Sequence, residues 1–108
     1  RAVESYGPDK RVVVFGTGGL SHQLHGDKYG IMNPEWDNAF MDALESNPES
    51  LADLPSREWM ERGGTEGVEM IMWLAMRAAL GGPVRLDHRN YCIPTGTTGY
   101  GLMALSPA

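Results

Sequence analysis

A β-branched run at residues 11–16 (RVVVFG) passes directly into a glycine-rich loop at residues 16–22 (GTGGLSH). The run is short enough to form a buried strand, and a turn cluster at residues 7–10 separates it from a partial helix at the N-terminus. A helix, a tight turn and a buried strand in this order predict an α/β fold. Glycines permit close backbone approach, and ligands bind at strand ends of this kind in open α/β sheets. The loop is therefore a candidate ligand site.

The middle of the chain carries signals for helices. Asn33 is suited to cap a helix that Pro34 begins, and Trp36, Phe40 and Leu44 recur on one face of it. Further helical segments are expected over residues 49–54, 55–63 and 66–80, the last with Thr65 as its cap. Residues 84–93 are strand-like, and a loop at residues 94–99 separates them from a last apolar stretch at residues 100–105. These elements predict one α/β unit over residues 1–108, a mixed sheet of about three strands with flanking helices.

Size and charge exclude several classes of protein. A chain of 108 residues suits one domain rather than two. Nine Lys and Arg against fourteen Asp and Glu give a net charge of −5, which argues against nucleic acid or an anionic membrane as a partner. The single cysteine, Cys92, cannot form an internal disulfide, and no apolar run reaches the roughly 20 residues of a membrane helix. We expect a soluble protein of the cytoplasm.

Two acidic residues in the longest predicted helix lie on different faces. Glu66 falls in the first turn, where the helix dipole favours a carboxylate. Glu69 lies on an apolar face, where a carboxylate needs a partner. The apolar members of that face are Trp73, Met76 and Leu80. An ion pair with Arg77 or Arg85, or a helix rotated enough to wet Glu69, is one interpretation. A metal ligand or a catalytic acid is the other.

His22 follows the glycine turn and has three interpretations besides an ordinary surface histidine. The loop lacks the GK[ST] ending of a phosphate-binding P-loop. A zinc site formed with His25 is weakly supported, since His88 and Cys92 are distant in sequence. A histidine above an open glycine loop suits a catalytic acid/base, whereas His25 and His88 are assigned structural roles. A hydrolase that uses Ser21 is disfavoured because no G-x-S-x-G elbow is present.

Three blocks of the sequence are GTGGLSHQL at residues 16–24, IMNPEWDN at residues 31–38 and GTEGVEMIMW at residues 64–73. In order and spacing they resemble the class III extradiol ring-cleavage dioxygenases, and within that family the catalytic β subunits of protocatechuate 4,5-dioxygenases. The resemblance extends over residues 11–105. It implies that this α/β unit is the C-terminal portion of a longer catalytic domain, a view that the first residue, Arg1, also favours.

The resemblance implies a non-haem Fe(II) centre held by two histidines and one glutamate. Glu69 matches the iron-ligand glutamate, the second acid of the third block. His22 matches the histidine that acts as acid/base near the bound O₂ and is not an iron ligand. Both iron-ligand histidines are expected outside this chain, so we expect the fragment alone to be inactive.

The resemblance also implies a substrate-binding loop after the late strand. In the protocatechuate enzymes a Ser-Asn pair there holds the substrate carboxylate, and it aligns with Gly96 and Thr97. Thr97 can donate a hydrogen bond, with Thr95 or Thr98 nearby, whereas Gly96 offers only backbone. The choice among protocatechuate, gallate, methylgallate and other catechol acids therefore stays open.

The expected function is opening of a protocatechuate-like catechol ring with O₂, as in the degradation of lignin-derived aromatics. The family further implies a small helical α subunit and a homo-oligomer as partners. The alternative is a truncated or non-catalytic relative that serves as a binding or interaction module.

Overall fold

The computed structural model describes residues 1–94 and 96–108. Its helices are α1 (Pro34–Ser46), α2 (Glu49–Ala52), α3 (Ser56–Gly63) and α4 (Met70–Leu80), its strands are β1 (Val84–Cys92) and β2 (Tyr100–Pro107), and 3₁₀ turns span Glu4–Tyr6 and Glu66–Glu69. The predicted α/β class with flanking helices is confirmed. Within the described residues no helix is both long and apolar enough to cross a bilayer.

Helix α1 begins where its capping residues predict. The Asn33 side chain accepts a hydrogen bond of 3.0 Å from the backbone N–H of Trp36, and Pro34 occupies the first helical position. The predicted apolar face of Trp36, Phe40 and Leu44 is buried. That face anchors the core.

The core is an aromatic cluster between α1, α3 and α4. The Phe40 ring lies 5.7 Å from the Trp59 ring and 6.1 Å from the Trp73 ring, both edge to face. Trp36 adds a third edge-to-face contact, 5.8 Å from Trp59. Met41, Leu44, Leu51 and Met70 fill the space around the rings.

Strands β1 and β2 form an antiparallel pair. Val84 pairs with Pro107 and Cys92 with Tyr100, with one irregularity between Leu86 and His88. This pair is the whole sheet within the described residues.

The predicted strand at residues 11–16 is not formed. Its side chains are exposed, with Val13 at 72% and Phe15 at 83%. A strand needs a neighbouring strand for its backbone N–H and C=O groups, and no described strand pairs with this segment. The β-branched run therefore belongs to no sheet within the described residues.

The longest predicted helix is divided in two. Residues 66–69 form a 3₁₀ turn before α4, and the Thr65 side chain makes no capping hydrogen bond. The chain leaves α4 at Gly81, which has a φ of +62°. The split changes which side chains share a face, as described below.

Candidate functional site

The glycine loop lies directly on α4. A Cβ added to Gly16 would lie 2.8 Å from the Cα of Trp73, and one added to Gly18 would lie 2.7 Å from the Cβ of Glu69. The Trp73 indole N–H donates a 3.0 Å hydrogen bond to the Gly18 carbonyl. Only glycine permits this approach, so the loop sequence determines how closely residues 16–19 approach Glu69.

Glu69 is exposed to solvent and held by one backbone donor. The Gly19 N–H donates to Oε2 of Glu69 at 2.9 Å. The ion-pair interpretation is wrong: Arg77 donates to the carbonyls of Leu44 and Gly82, and Arg85 pairs with Asp87. Within the described residues no cation pairs with this carboxylate.

The exposure of Glu69 has a local cause. It is the last residue of the 3₁₀ turn, where about three residues complete a turn instead of about 3.6. The change of period takes Glu69 off the buried face that Trp73 occupies in α4. The wetted carboxylate was one of the alternatives that the sequence left open.

His22 is buried, with 6% of its surface exposed. Its Nδ1 lies 2.7 Å from the Leu20 carbonyl, and its backbone N–H donates to the Gly63 carbonyl at 2.7 Å. A carbonyl oxygen only accepts, so Nδ1 carries the proton in this contact. In a neutral ring Nε2 then keeps its lone pair, and it forms no hydrogen bond to the described residues.

Gly19 brings Glu69 and His22 into one neighbourhood. Its N–H binds the Glu69 carboxylate, and a Cβ on Gly19 would lie 3.1 Å from Cε1 of the His22 ring. The two residues selected from the sequence therefore flank the same backbone unit.

The predicted substrate loop reaches this neighbourhood through Thr98. Thr98 forms an isolated antiparallel bridge with His22, and its Cγ2 would lie 3.0 Å from a Cβ on Gly19. Gly96 is exposed and Thr97 is half-buried, whereas Thr95 lies outside the described residues.

A buried acid that the sequence analysis did not select lies beside the loop. Asp37 is fully buried and accepts hydrogen bonds from the Ser21 N–H, the Ser21 hydroxyl and the Tyr91 hydroxyl. Burial and the neighbouring Asp37 carboxylate raise the pKa of Tyr91 well above its usual value. With Met41 and Leu44, Asp37 follows the same i, i+4, i+7 spacing that drew attention to Glu69, so a sequence signal was present.

The same contacts remove Ser21 as a nucleophile. Ser21 is fully buried, and its hydroxyl donates to Asp37 at 2.7 Å while accepting from the Asn33 N–H at 2.7 Å. The His22 ring contacts Leu20 instead. A hydrolase built on Ser21 has no structural basis here.

His25, to which the sequence assigns a structural role, contacts Glu66. Its Nδ1 lies 2.6 Å from Oε1 of Glu66, whose Oε2 accepts from the Leu24 N–H at 3.1 Å. Desolvation alone raises the pKa of Glu66, but hydrogen bonds from Leu24, its own N–H and His25 outweigh it and leave the pKa below its ordinary value. In residues 1–94 and 96–108 no three His, Cys, Asp or Glu side chains form a group that could hold a metal.

Comparison with known proteins gives consistent results. A family model described as the catalytic LigB subunit of aromatic ring-opening dioxygenase matches residues 1–103. Gallate dioxygenase of Pseudomonas putida is 44% identical over 97 residues, which cover 90% of this chain and 28% of that protein. A 2,3-dihydroxyphenylpropionate/2,3-dihydroxicinnamic acid 1,2-dioxygenase of Xanthobacter autotrophicus is 29% identical over 149 positions, which cover 92% of this chain and 47% of that protein. The chain spans less than half the length of each relative.

Proposed function

Since this chain belongs to the family of catalytic LigB subunits of aromatic ring-opening dioxygenases, we propose that the intact protein is a non-haem Fe(II) extradiol dioxygenase. It opens the ring of a protocatechuate-like catechol acid with O₂. Similarity to a gallate dioxygenase supports a hydroxylated benzoate as the substrate class. The observation that carries the proposal is the placement of the Glu69 carboxylate and the His22 ring around Gly19.

The metal is assigned to Glu69. Its carboxylate is exposed, accepts a single hydrogen bond and meets no cation within the described residues, so it is free to bind one. A carboxylate is the oxygen donor of the two-His, one-carboxylate set that suits Fe(II). The two histidine ligands come from a part of the protein outside this chain. When bound, Fe(II) supplies open coordination positions for the two catechol hydroxyls and O₂.

His22 is assigned the proton transfers. The Nδ1–H group donates to the Leu20 carbonyl oxygen, which lies 2.7 Å from Nδ1; this contact fixes the ring orientation and leaves Nε2 as the basic atom. Nε2 accepts a proton from a catechol hydroxyl and returns it during ring opening. A ring that is 6% exposed has little freedom to turn away from the substrate.

The substrate carboxylate is assigned to the loop that contains Gly96 and Thr97. Their backbone N–H groups and the Thr97 hydroxyl are hydrogen-bond donors of the kind that a carboxylate accepts. The bridge between Thr98 and His22 keeps this loop next to the proposed acid/base. Thr95 remains part of the proposal on the basis of the sequence alone.

We further propose that this unit is the C-terminal portion of a longer catalytic domain in a cytoplasmic enzyme. A small helical α subunit and a homo-oligomer are its proposed partners. The longer domain is supported by the 28% and 47% of the two relatives that the chain covers, the partners by the family resemblance, and the cytoplasm by the single cysteine of the sequence.

The assignment is tested in the full-length protein with Glu69→Ala, His22→Ala and a control, His25→Ala. Glu69→Ala should abolish iron retention, measured as metal per subunit after desalting. His22→Ala should retain iron but lose ring opening, measured as O₂ uptake with protocatechuate and gallate. His25, which is exposed and pairs with Glu66, should be dispensable for both. Normal iron content in Glu69→Ala would refute the ligand assignment.

A non-catalytic binding module is the second candidate. It is favoured by one observation: within the described residues no cluster of three metal ligands exists. Anaerobic Fe(II) titration of the 108-residue chain addresses it. Stoichiometric binding would reveal a site formed within this chain. If the full-length protein consumed no O₂ with any catechol acid, the module interpretation would replace the enzyme.

A further inference from the structure

Asp37 is a fully buried carboxylate whose partners are neutral hydrogen-bond donors. The Ser21 N–H donates to Oδ1 at 2.8 Å, and the Ser21 and Tyr91 hydroxyls donate to Oδ2 at 2.7 and 2.6 Å. Within the described residues no Lys, Arg or His pairs with it. Burying a carboxylate costs free energy unless its oxygens are hydrogen-bonded. Moving any of the three donors away from Asp37 would therefore be costly, which restricts where the donors can lie.

The donors join three separate parts of the chain. Asp37 belongs to α1, Ser21 to the glycine-rich loop at residues 16–22, and Tyr91 to β1. Gly99 lies against the same carboxylate, since a Cβ there would overlap Oδ2 of Asp37 and lie 3.0 Å from the Tyr91 hydroxyl. Asp37 is thus the point where the loop, the first strand and the residue before β2 meet.

Backbone hydrogen bonds extend this junction to both sides. The Leu20 N–H donates to the Gly99 carbonyl at 2.9 Å, and the Gly99 N–H donates to the Ser21 carbonyl at 3.0 Å. His22 follows Ser21 directly, and Thr98 precedes Gly99 and bridges His22. A change at Asp37 therefore acts on the His22 segment and on the 96–99 loop together.

We propose that Asp37 is a positioning residue that holds His22 in register with the substrate loop through Ser21, Tyr91 and Gly99. The role rests on the proposed function, because it presumes that His22 moves protons and that residues 96 and 97 bind the substrate carboxylate. Asp37 itself touches neither substrate nor metal in this role. It determines the distance between the two groups that do.

The chemistry of the junction favours a carboxylate over an amide. The Ser21 N–H cannot reverse its role, so Oδ1 must accept. An asparagine that keeps this bond places its NH₂ group towards the Ser21 and Tyr91 hydroxyls, which now donate to Oδ2. Asp37→Asn thus preserves volume while disturbing two hydrogen bonds, and Tyr91→Phe removes one of them without changing α1.

The test uses the full-length enzyme with Asp37→Asn, Tyr91→Phe and the matched control Asp42→Asn. Asp42 also lies on α1 and pairs with Arg89 of β1, but its side chain is exposed and contacts neither residues 20–22 nor Gly99. Both junction variants should lose about 10- to 100-fold in kcat, with a smaller change in KM and unchanged metal per subunit, as expected for a misplaced reacting group. The control should retain the wild-type kcat.

Amide hydrogen exchange provides a readout that does not depend on turnover. In Asp37→Asn the N–H groups of Leu20 and Gly99, which bond to Gly99 and Ser21, should lose protection together, whereas the Gly64 N–H, which donates to the Met60 carbonyl, should not change. Loss of protection at only one of the two would overturn the coupling. Variants with a lowered melting temperature but a kcat within twofold of wild type would overturn the positioning role and leave Asp37 as a purely structural residue. A wild-type enzyme that opens no catechol ring would instead refute the proposed function, and the positioning role with it.

Discussion

Replacing Gly18 by alanine should separate the glycine loop from Glu69. A Cβ at residue 18 would lie 2.7 Å from the Cβ of Glu69 and 3.1 Å from its Oε2. Carbon atoms in contact prefer about 3.5–4.0 Å, so one side must move by about 1 Å. A shift of that size stretches the 2.9 Å hydrogen bond from Gly19 to Glu69 beyond its normal range. The Glu69 carboxylate then loses the one described donor that orients it.

Two costs are expected, and only one of them is specific to Glu69. Gly18 has a φ of +130°, so alanine there costs about 1–2 kcal/mol of backbone strain. Gly30→Ala is the matched control, because Gly30 has a φ of +80° and a Cβ there would meet nothing within 4 Å. Gly18→Ala adds an overpacking cost of about 1–3 kcal/mol. Loss of an orienting hydrogen bond to a metal ligand typically weakens metal binding by about 10- to 100-fold.

The assay is Fe(II) affinity of the full-length protein, measured by competition with a chelator, together with the melting temperature. Both variants should melt below wild type, but only Gly18→Ala should bind iron more weakly. Equal iron affinities in Gly18→Ala and Gly30→Ala would show that the contact between the loop and Glu69 has no bearing on the proposed metal site.

Three further substitutions test other parts of the structure. Phe40→Ala removes a fully buried ring and should lower the free energy of unfolding in urea by about 3–5 kcal/mol. A hydrogen bond from the Ser106 hydroxyl lowers the pKa of Asp87, so the Asp87 carboxylate stabilises the fold above pH 3.8. This stabilisation is lost as the pH falls through the lowered pKa. Asp87→Asn should therefore reduce the loss of stability in acid, and an unchanged acid limb of the unfolding curve would contradict this. Val13, 72% exposed in a segment that belongs to no described sheet, should promote self-association of the chain, and Val13→Lys should reduce it in sedimentation velocity.

Local signals in the sequence predicted most of the secondary structure. Asn33 and Pro34, two neighbouring residues, mark the start of α1. Pro83 precedes β1, and the loop at residues 94–99 separates β1 from β2. Capping and turn preferences depend on neighbours along the chain, so a single sequence contains them. The prediction of a strand at residues 11–16 was wrong because a strand needs a second segment to pair with, and β-branched residues alone do not supply one.

Two acids, Glu69 and Asp37, lie at helical spacing from apolar residues, and they show why the sequence predicts only part of the site. Glu69 and Asp37 have the same kind of spacing, yet Glu69 is exposed and Asp37 is fully buried. The exposure of Glu69 arises from a 3₁₀ turn, a change of helical period too short to be seen in a hydrophobic pattern. The burial of Asp37 depends on hydrogen-bond donors at residues 21 and 91, which only the fold brings together.

Asp37 also explains why a glycine is needed at residue 99. A side chain there would overlap the carboxylate, so Gly99→Ala should disturb the same junction as Asp37→Asn, from the opposite side. If both substitutions act only by displacing residues 20–22 from the 96–99 loop, their effects on kcat should be less than additive in the double variant. Full additivity would mean that the two residues influence His22 independently. The double-mutant cycle thus tests whether the proposed acid/base, His22, and the proposed substrate loop are held by one set of contacts or by two.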